Sequence, residues 1–280
     1  MEPVTEAVSR PAGGAVSPWI DGYLGYRLEG FEPGMHTGMP SHQLTFIISL
    51  GGPVEIARMP GDRQAPGAFQ AFVSGLHAGP AEILHDGNQY GISIDLTPLG
   101  ARALFGVPAG ELASQVVDLD ELLGPGARSL PDRLASLPTW SERFDVIEGV
   151  IDRAVRRRRV VEAPPEVREA FRRIVASGGS IEIGRLAAEV GWSRRHLGER
   201  FREEVGLPPK VTGRVVRFHH VKRLLGSGRP GLAEIAAVCG YADQAHLTRE
   251  FRELAGRTPT AWLAEELPSV QDTEALEVAG

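Results

Sequence analysis

The chain is short of cysteine, lysine and long apolar runs, and each shortage narrows what it can be. One cysteine, Cys239, occurs in 280 residues. That excludes an intramolecular disulfide framework and any multi-cysteine metal knuckle, and it fits a reducing compartment. No run approaches the ~18 uninterrupted apolar residues of a membrane-spanning helix. The N-terminal MEPVTEAVSRPAGG lacks the charged-then-apolar order of a signal peptide, so a soluble, cytoplasmic protein is expected. Neither a G-x-S-x-G elbow nor a phosphate-binding loop occurs, and no catalytic residue, cofactor or enzymatic activity is expected. Lysine is nearly absent, with 28 of the 30 basic residues being arginine. Either guanidinium recognition of phosphates and guanines or the base composition of the genome accounts for that bias.

A chain of this length with 42% apolar residues can bury two modest cores. The net charge of -6 argues against nucleic acid only until it is divided. Residues 1 to 162 hold 13 Lys and Arg against 20 Asp and Glu; residues 163 to 268 hold 17 against 13; residues 269 to 280 hold 0 against 3. Phosphate binding depends on the local face a protein presents, so a basic binder attached to an acidic sensor is physically coherent.

Residues 1 to 16 and the acidic tail from Ser269 carry no periodic apolar face, and both are expected to be disordered. Between residues 19 and 96, short strand-like runs are separated by Gly and Pro: GYLGYRL, QLTFIISL, PVEIAR, FQAFVSGL, AEILHD and QYGISIDL. Leu44, Phe46, Ile48 and Leu50 alternate with Thr45, Ile47 and Ser49 as a half-buried strand requires. An antiparallel β barrel or sandwich over 17 to 124 is the simplest architecture. Thr97 and Pro98 read as an N-cap and first helical residue of a short helix through Leu104.

Further on, Thr139 and Glu142 have capping-box spacing, and Trp140, Phe144, Ile147, Ile151 and Val155 recur at helical intervals. With Leu130, Leu134 and Leu137 before them they predict a helical hairpin over 125 to 160. Its stripe could seal the sheet or meet a second subunit. Arg156 to Arg159 suit the C-terminal dipole of that helix.

The strongest signal is an internal repeat. LAAEVGWSRRHLGERFREEVGLPP begins at Leu186 and IAAVCGYADQAHLTREFRELAGRTP at Ile235. At an offset of 49, Leu186, Ala187, Gly191 and Trp192 match Ile235, Ala236, Gly240 and Tyr241. After a one-residue insertion, Leu197 and Phe201 match Leu247 and Phe251 at an offset of 50. Each copy reads as a short helix, a turn at Gly-aromatic, and a longer helix ending at glycine. Small residues at Ala187 and Ala236 let crossed helices approach. Gly191 and Gly240 allow the positive φ that ends the first helix. Leu197 with Phe201, and Leu247 with Phe251, form buried stripes. The segment from Pro209, with Val211, Val215, Phe218, Val221 and Leu225 on one face and Gly226 as its stop, predicts a helix joining the two units. Such a strut would set two recognition helices into successive major grooves, roughly 34 Å apart.

Gly240-Tyr241-Ala242-Asp243, His246-Leu247, Arg249, Phe251-Arg252, Gly256 and Thr258-Pro259, in that order and spacing, resemble the DNA-binding domain of AraC/XylS-type transcriptional regulators. The likeness covers about Ala163 to Leu267. It implies two helix-turn-helix units, duplex DNA and RNA polymerase as partners, control of transcription, commonly as an activator, and an N-terminal effector or dimerisation domain. LTFIISLGGPVEI and LTPLGARALFGVPAGEL are similar to sensor halves of some such regulators. The fold class expected is α+β in two domains: a cupin-like antiparallel β domain with a helical hairpin, then an all-α domain over 163 to 268. A homodimer and an unidentified small-molecule effector are the further partners expected.

Residues on α-helical faces away from the buried stripes are candidates to meet the groove. On the first recognition helix these are Arg194, Arg195 and Glu199, the last a base reader or a partner of Arg195 or Arg202. On the second they are Gln244, His246 and Arg249, with Asp243 as N-cap. Arg202, Lys210, Arg214 and Thr258 are candidate phosphate contacts. Cys239 matches Val190 and is expected to be a small buried hydrophobe. His36, His42, His77 and His85 raise the rival of a metal-binding cupin-like enzyme domain, but their spacing is poor for ligands. A second rival makes the N-terminal half only an interaction module.

Overall fold

The computed structural model describes residues 3–158, 162–226 and 231–264. Its N-terminal part is built on two antiparallel sheets. The strands are β1 (Val4–Pro11), β2 (Ile20–Glu29), β3 (Gly34–Gly38), β4 (Leu44–Ser49), β5 (Val54–Arg58), β6 (Gly67–Phe69), β7 (Ala71–Ser74), β8 (Ala81–His85), β9 (Gln89–Leu96) and β10 (Val116–Asp118). One sheet has the order β1-β2-β9-β4-β7-β10 and the other β3-β8-β5-β6. Helices α1 (Gly100–Phe105), α2 (Ala109–Leu112), α3 (Leu119–Leu123), α4 (Leu130–Ala135) and α5 (Trp140–Arg157) follow the ninth strand.

The alternation in β4 explains the layering. Leu44, Phe46 and Ile48 join a core with Phe144, Ile147, Ile151 and Val155 of α5 and with Leu104 and Phe105 of α1. Ile47 points the other way and joins Ile56, Phe69, Phe72 and Val116 between the sheets. Both faces of the strand are therefore covered. Thr139 and Glu142 form the expected capping box. The stripe on α5 seals the larger sheet, the first of the two roles its periodicity allowed. Arg158, at the end of that helix, donates to the carbonyls of Phe105 and Leu122. Arg159 lies outside the described residues.

Several expectations are corrected. The segment expected to be disordered over 1 to 16 contains β1, paired residue by residue with β2 from Val4↔Glu29 to Pro11↔Gly22. Its ladder is made by backbone groups, and Val4 and Val8 stay exposed on the edge strand, which is why no apolar stripe announces it. FQAFVSGL divides at Gln70 into β6 and β7, which belong to different sheets. The Gln70 amide donates to the carbonyls of Ser49 and Gly51 at the crossing. The helix expected from Pro98 begins at Gly100, whose N–H is accepted by Thr97 Oγ1 at 3.2 Å. The tail from Ser269 lies outside the described residues.

Between the two sheets is a cavity of about 860 Å³, lined among others by Ile47, Ile56, Phe72, Ile83 and His77. Residues of its rim such as Pro33, Gly52, Asp86 and Asn88 are exposed, whereas Gly38, His77 and Ala81 at the opposite end are buried.

The C-terminal part is all helical: α6 (Pro165–Ala176), α7 (Ile183–Glu189), α8 (Arg194–Val205), α9 (Pro209–Gly226), α10 (Leu232–Val238), α11 (Gln244–Ala255) and α12 (Pro259–Leu263). One core runs through all of it and takes in two N-terminal side chains, Met39 and Leu76. The two parts are further joined by Arg102 of α1, which donates to both carboxylate oxygens of Glu204 on α8 at 2.6 and 2.8 Å. Arg257 donates to Thr37 Oγ1 at 2.5 Å. Gly110 of α2 lies so close to the Glu203 carbonyl that an added Cβ would stand 2.3 Å from it.

Candidate nucleic-acid interface

The repeat folds twice into the same unit. In the first, Leu186, Ala187, Leu197 and Phe201 are sealed from solvent; in the second, Ile235, Ala236, Leu247 and Phe251 are. Gly191 and Gly240 have φ of 79° and 73°, the left-handed conformation that a side chain would strain. Ser193 and Asp243 cap α8 and α11, each accepting from the N–H three residues on, His196 and His246. In each unit that histidine sets its ring edge-on against the turn aromatic, His196 on Trp192 at 4.5 Å and His246 on Tyr241 at 5.2 Å between centroids. Both helices end on left-handed glycines, Gly206 and Gly256. Cys239 is buried, and that burial pushes its thiol pKa up.

The strut is continuous. Helix α9 buries Val215, Phe218, Val221 and Leu225 as its periodicity predicts, while Val211 is only half-buried. Thr212, Val216 and Lys222 are buried too, because α6, α8, α10, α11 and α12 all pack around the strut.

The candidate readers divide by what already holds them. Arg194, Arg195 and Glu199 on α8, and Gln244 and Arg249 on α11, are exposed. Arg195 Nε bonds Glu199 Oε1 at 2.9 Å, which realises the pairing alternative for that carboxylate. Arg194, Arg202, Lys210 and Arg249 form no ion pair within 4 Å among the described residues and are exposed. Arg194 is still near enough to Glu182 to add to the N–H bonds from Arg185 and Gly184 that hold that carboxyl's pKa down. His246 is half-buried.

Two candidate phosphate contacts have internal partners. Arg214 reaches across from the strut to Glu250 at 2.9 Å and Glu253 at 2.5 Å on α11. Thr258 caps α12, its hydroxyl accepting from the Ala261 N–H. Sequence reasoning missed the centre of the first of these, the buried carboxylate Glu250. It accepts from the Tyr241 hydroxyl at 2.9 Å, and Arg217 stands 3.6 Å away. The signal was nonlocal, a lone Glu on an otherwise apolar face of α11.

The C-terminal part is thus two helix-turn-helix units in pseudo-repeat on one central helix, the arrangement that the resemblance to AraC/XylS-type regulators implies. The comparisons agree: residues 186–265 match the family described as "Helix-turn-helix domain". Over 74 residues the chain is 36% identical to the transcriptional regulator GlxA of Rhizobium meliloti (strain 1021), covering 26% of this chain and 23% of that one. It is 39% identical over 79 residues to the F1 operon positive regulatory protein of Yersinia pestis, covering 28% and 26%. It is 29% identical over 80 residues to the transcriptional activator RhaR of Escherichia coli (strain K12), covering 29% and 28%. The chain thus spans about a quarter of the length of the curated relatives it matches.

Across the whole chain the fold is that of ToxT from Vibrio cholerae, with a TM-score of 0.51 at 11% identity over 92% of this chain and 97% of that one. ToxT bound to (E)-4-(8-methylnaphthalen-1-yl)but-3-enoic acid gives 0.52 at 12% identity, covering 92% and 98%. At such identity the likeness concerns the fold, an N-terminal antiparallel β domain followed by a helical helix-turn-helix domain.

Proposed function

We propose that the protein is a sequence-specific DNA-binding transcriptional regulator whose N-terminal domain responds to a small molecule. The observation that carries the DNA reading is the pair of recognition helices, α8 and α11, held on one strut and both presenting exposed polar side chains at the face left free by the buried stripes. Arg194, Arg195 and Gln244 with Arg249 are the base readers, with Glu199 tempering Arg195 through their ion pair. Lys210 and Arg202 supply phosphate affinity without sequence information. The cavity between the sheets favours an effector over a merely dimerising module, since about 860 Å³ is ample for a small ligand. ToxT from Vibrio cholerae strain SCE256 has been solved with an unsaturated fatty acid bound, and a ligand in the β domain is the analogous expectation here. RNA polymerase recruitment, activation, a homodimer and a cytoplasmic location complete this reading. Among the described residues no helix is long and apolar enough to cross a membrane, and no group of three or more His, Cys, Asp or Glu side chains is arranged to hold a metal.

Selection of bound fragments from a random duplex pool by the full chain tests the reading. A recurring motif with two half-sites about one helical turn apart is expected. On the selected duplex, Arg249→Ala should weaken binding by ~1 to 3 kcal/mol and relax selectivity at one position, whereas Lys210→Ala should weaken all duplexes alike. Equal losses for Arg249→Ala on selected and scrambled duplexes would refute its assignment.

A further inference from the structure

The cavity between the sheets has polar side chains at both ends, Ser49, Asn88 and Gln89 towards the rim and Thr45, Ser74 and His77 at the closed, buried end, with Ile47, Ile56, Phe72 and Ile83 between them. Thr45 of β4 and Ser74 of β7 are direct cross-strand partners on its wall, and neither hydroxyl has a hydrogen-bond partner among the described residues. His77 lies beyond them, buried. Its Nδ1 stands 2.6 Å from the Gly79 carbonyl, an atom that can only accept, so Nδ1 carries the proton. Burial pushes the ring's pKa down to about 4, which leaves Nε2 unprotonated at neutral pH. That nitrogen has no protein partner and is not among the atoms sealed from solvent. It therefore offers the cavity an acceptor.

The charges around the cavity select against ions of either sign at that end. The lining residues include no lysine or arginine, and its carboxylates, Glu55 and Asp86, are exposed residues. Arg257 and Arg58 on that side are held outside the lining, Arg257 donating to Thr37 and Arg58 to the Pro80 carbonyl, neither of which lines the cavity. An anion would be desolvated against Ile47, Ile56, Phe72 and Ile83 with no counter-charge. An ammonium group, though it could donate to the neutral imidazole, would leave its charge there without a carboxylate; either cost is large.

We propose that the cavity binds an uncharged, largely apolar molecule bearing a hydroxyl group, which donates to His77 Nε2 at the closed end beside Thr45 and Ser74. This rests on the ligand-responsive reading above and gives that ligand its chemistry. The closed end is also where the domains meet. Leu76, next to His77, is buried in the C-terminal core; Pro80 lies against Gly256 behind α11; and Thr37, next to His36 on the cavity wall, holds Arg257. A hydroxyl seated at His77 thus bears on the segment that fixes the DNA-binding domain.

Calorimetric titration of the full chain with decan-1-ol, decanoate and decylammonium tests the assignment. Decan-1-ol is expected to bind at one per chain, with both charged probes roughly tenfold weaker or more. His77→Phe keeps the ring's bulk and removes the acceptor, and should cost decan-1-ol roughly tenfold in affinity. Ser74→Ala should cost about threefold and serves should His77→Phe fail to fold, which denaturation of the unliganded variant reports. Equal or tighter binding of either charged probe overturns the proposal. So does absence of decan-1-ol binding up to its solubility limit, or unchanged affinity in both variants. Duplex binding by the same preparation separates this from the DNA reading: a chain that holds its selected duplex and ignores decan-1-ol refutes the ligand class alone, whereas one that binds decan-1-ol through His77 and no duplex supports the class and refutes the DNA reading.

Discussion

The two helix-turn-helix units share a fold and a buried stripe, yet they are braced from different directions. In the second, Tyr241, Arg214 and Arg217 converge on Glu250, so α11 is tied to the strut from within the domain. The first unit has Trp192 and Arg200 at the positions of Tyr241 and Glu250 and cannot build that network. Its recognition helix is tied instead through Glu204, where the second unit has Leu254, to Arg102 of the N-terminal domain. One of these helices is held by its own domain and the other by the domain with the cavity. A change in the N-terminal domain therefore has a direct mechanical route to α8, while α11 feels it through Thr37 and Pro80.

The sharpest way to break this contrast is Glu250→Ala. It leaves Arg214 and the Tyr241 hydroxyl without their shared acceptor, and Arg217 without its nearby counter-charge, in a site where the carboxylate is only 8% exposed. Arg214 itself is 29% exposed, so water recovers part of the loss. A destabilisation of about 3 kcal/mol is expected by chemical denaturation. Because the network is local to the second unit, the first unit's contact with Arg102 should persist. A loss under about 1 kcal/mol would show that the strut's apolar packing alone holds α11.

Glu204→Leu sharpens the comparison from the other side by giving the first unit the residue of the second. Glu204 is 2% exposed and Arg102 22%, so the pair is shielded on one side and open on the other. A double-mutant cycle with Arg102→Met should return a coupling of about 1 to 2 kcal/mol. The single variant should loosen the domains from each other without unfolding either. Zero coupling would remove Glu204 from the route between cavity and α8.

What the sequence could and could not disclose follows the same division between local and distant causes. The helix-turn-helix pair was legible because Ala187, Gly191, Leu197 and Phe201 recur as Ala236, Gly240, Leu247 and Phe251, and each is fixed by its own turn of chain. Strands β2, β4, β5, β7, β8 and β9 were legible from alternation and flanking turns. Strand β3, GMHTG, was not, because its glycines serve a neighbour: a Cβ at Gly38 would stand 3.1 Å from Ile83 Cδ1 on β8. Nor could Arg214 be distinguished from a phosphate contact, since its partners lie 36 and 39 residues away. Charge on an amphipathic helix reads the same whether the acceptor is DNA or a distant glutamate. The cavity was invisible for the same reason, as its closed end joins Thr45, Ser74 and His77 from different strands and turns.

The smallest expected effect probes a difference in the readers themselves. Gly198 stands on α8 between Leu197 and Glu199, and an added Cβ there would meet nothing within 4 Å. Nothing in the fold therefore requires glycine. Inside a helix it costs up to ~1 kcal/mol relative to alanine, and that cost falls on the unit already dependent on the N-terminal domain. Gly198→Ala should raise stability by about 0.5 to 1 kcal/mol in denaturation. Since a methyl group is far smaller than a base-reading side chain, affinity for the selected duplex should hold if the first unit meets the groove loosely. A sharp fall in affinity with the stability gain intact would mean that α8 sits against the DNA at Gly198 closely enough to exclude even a methyl group.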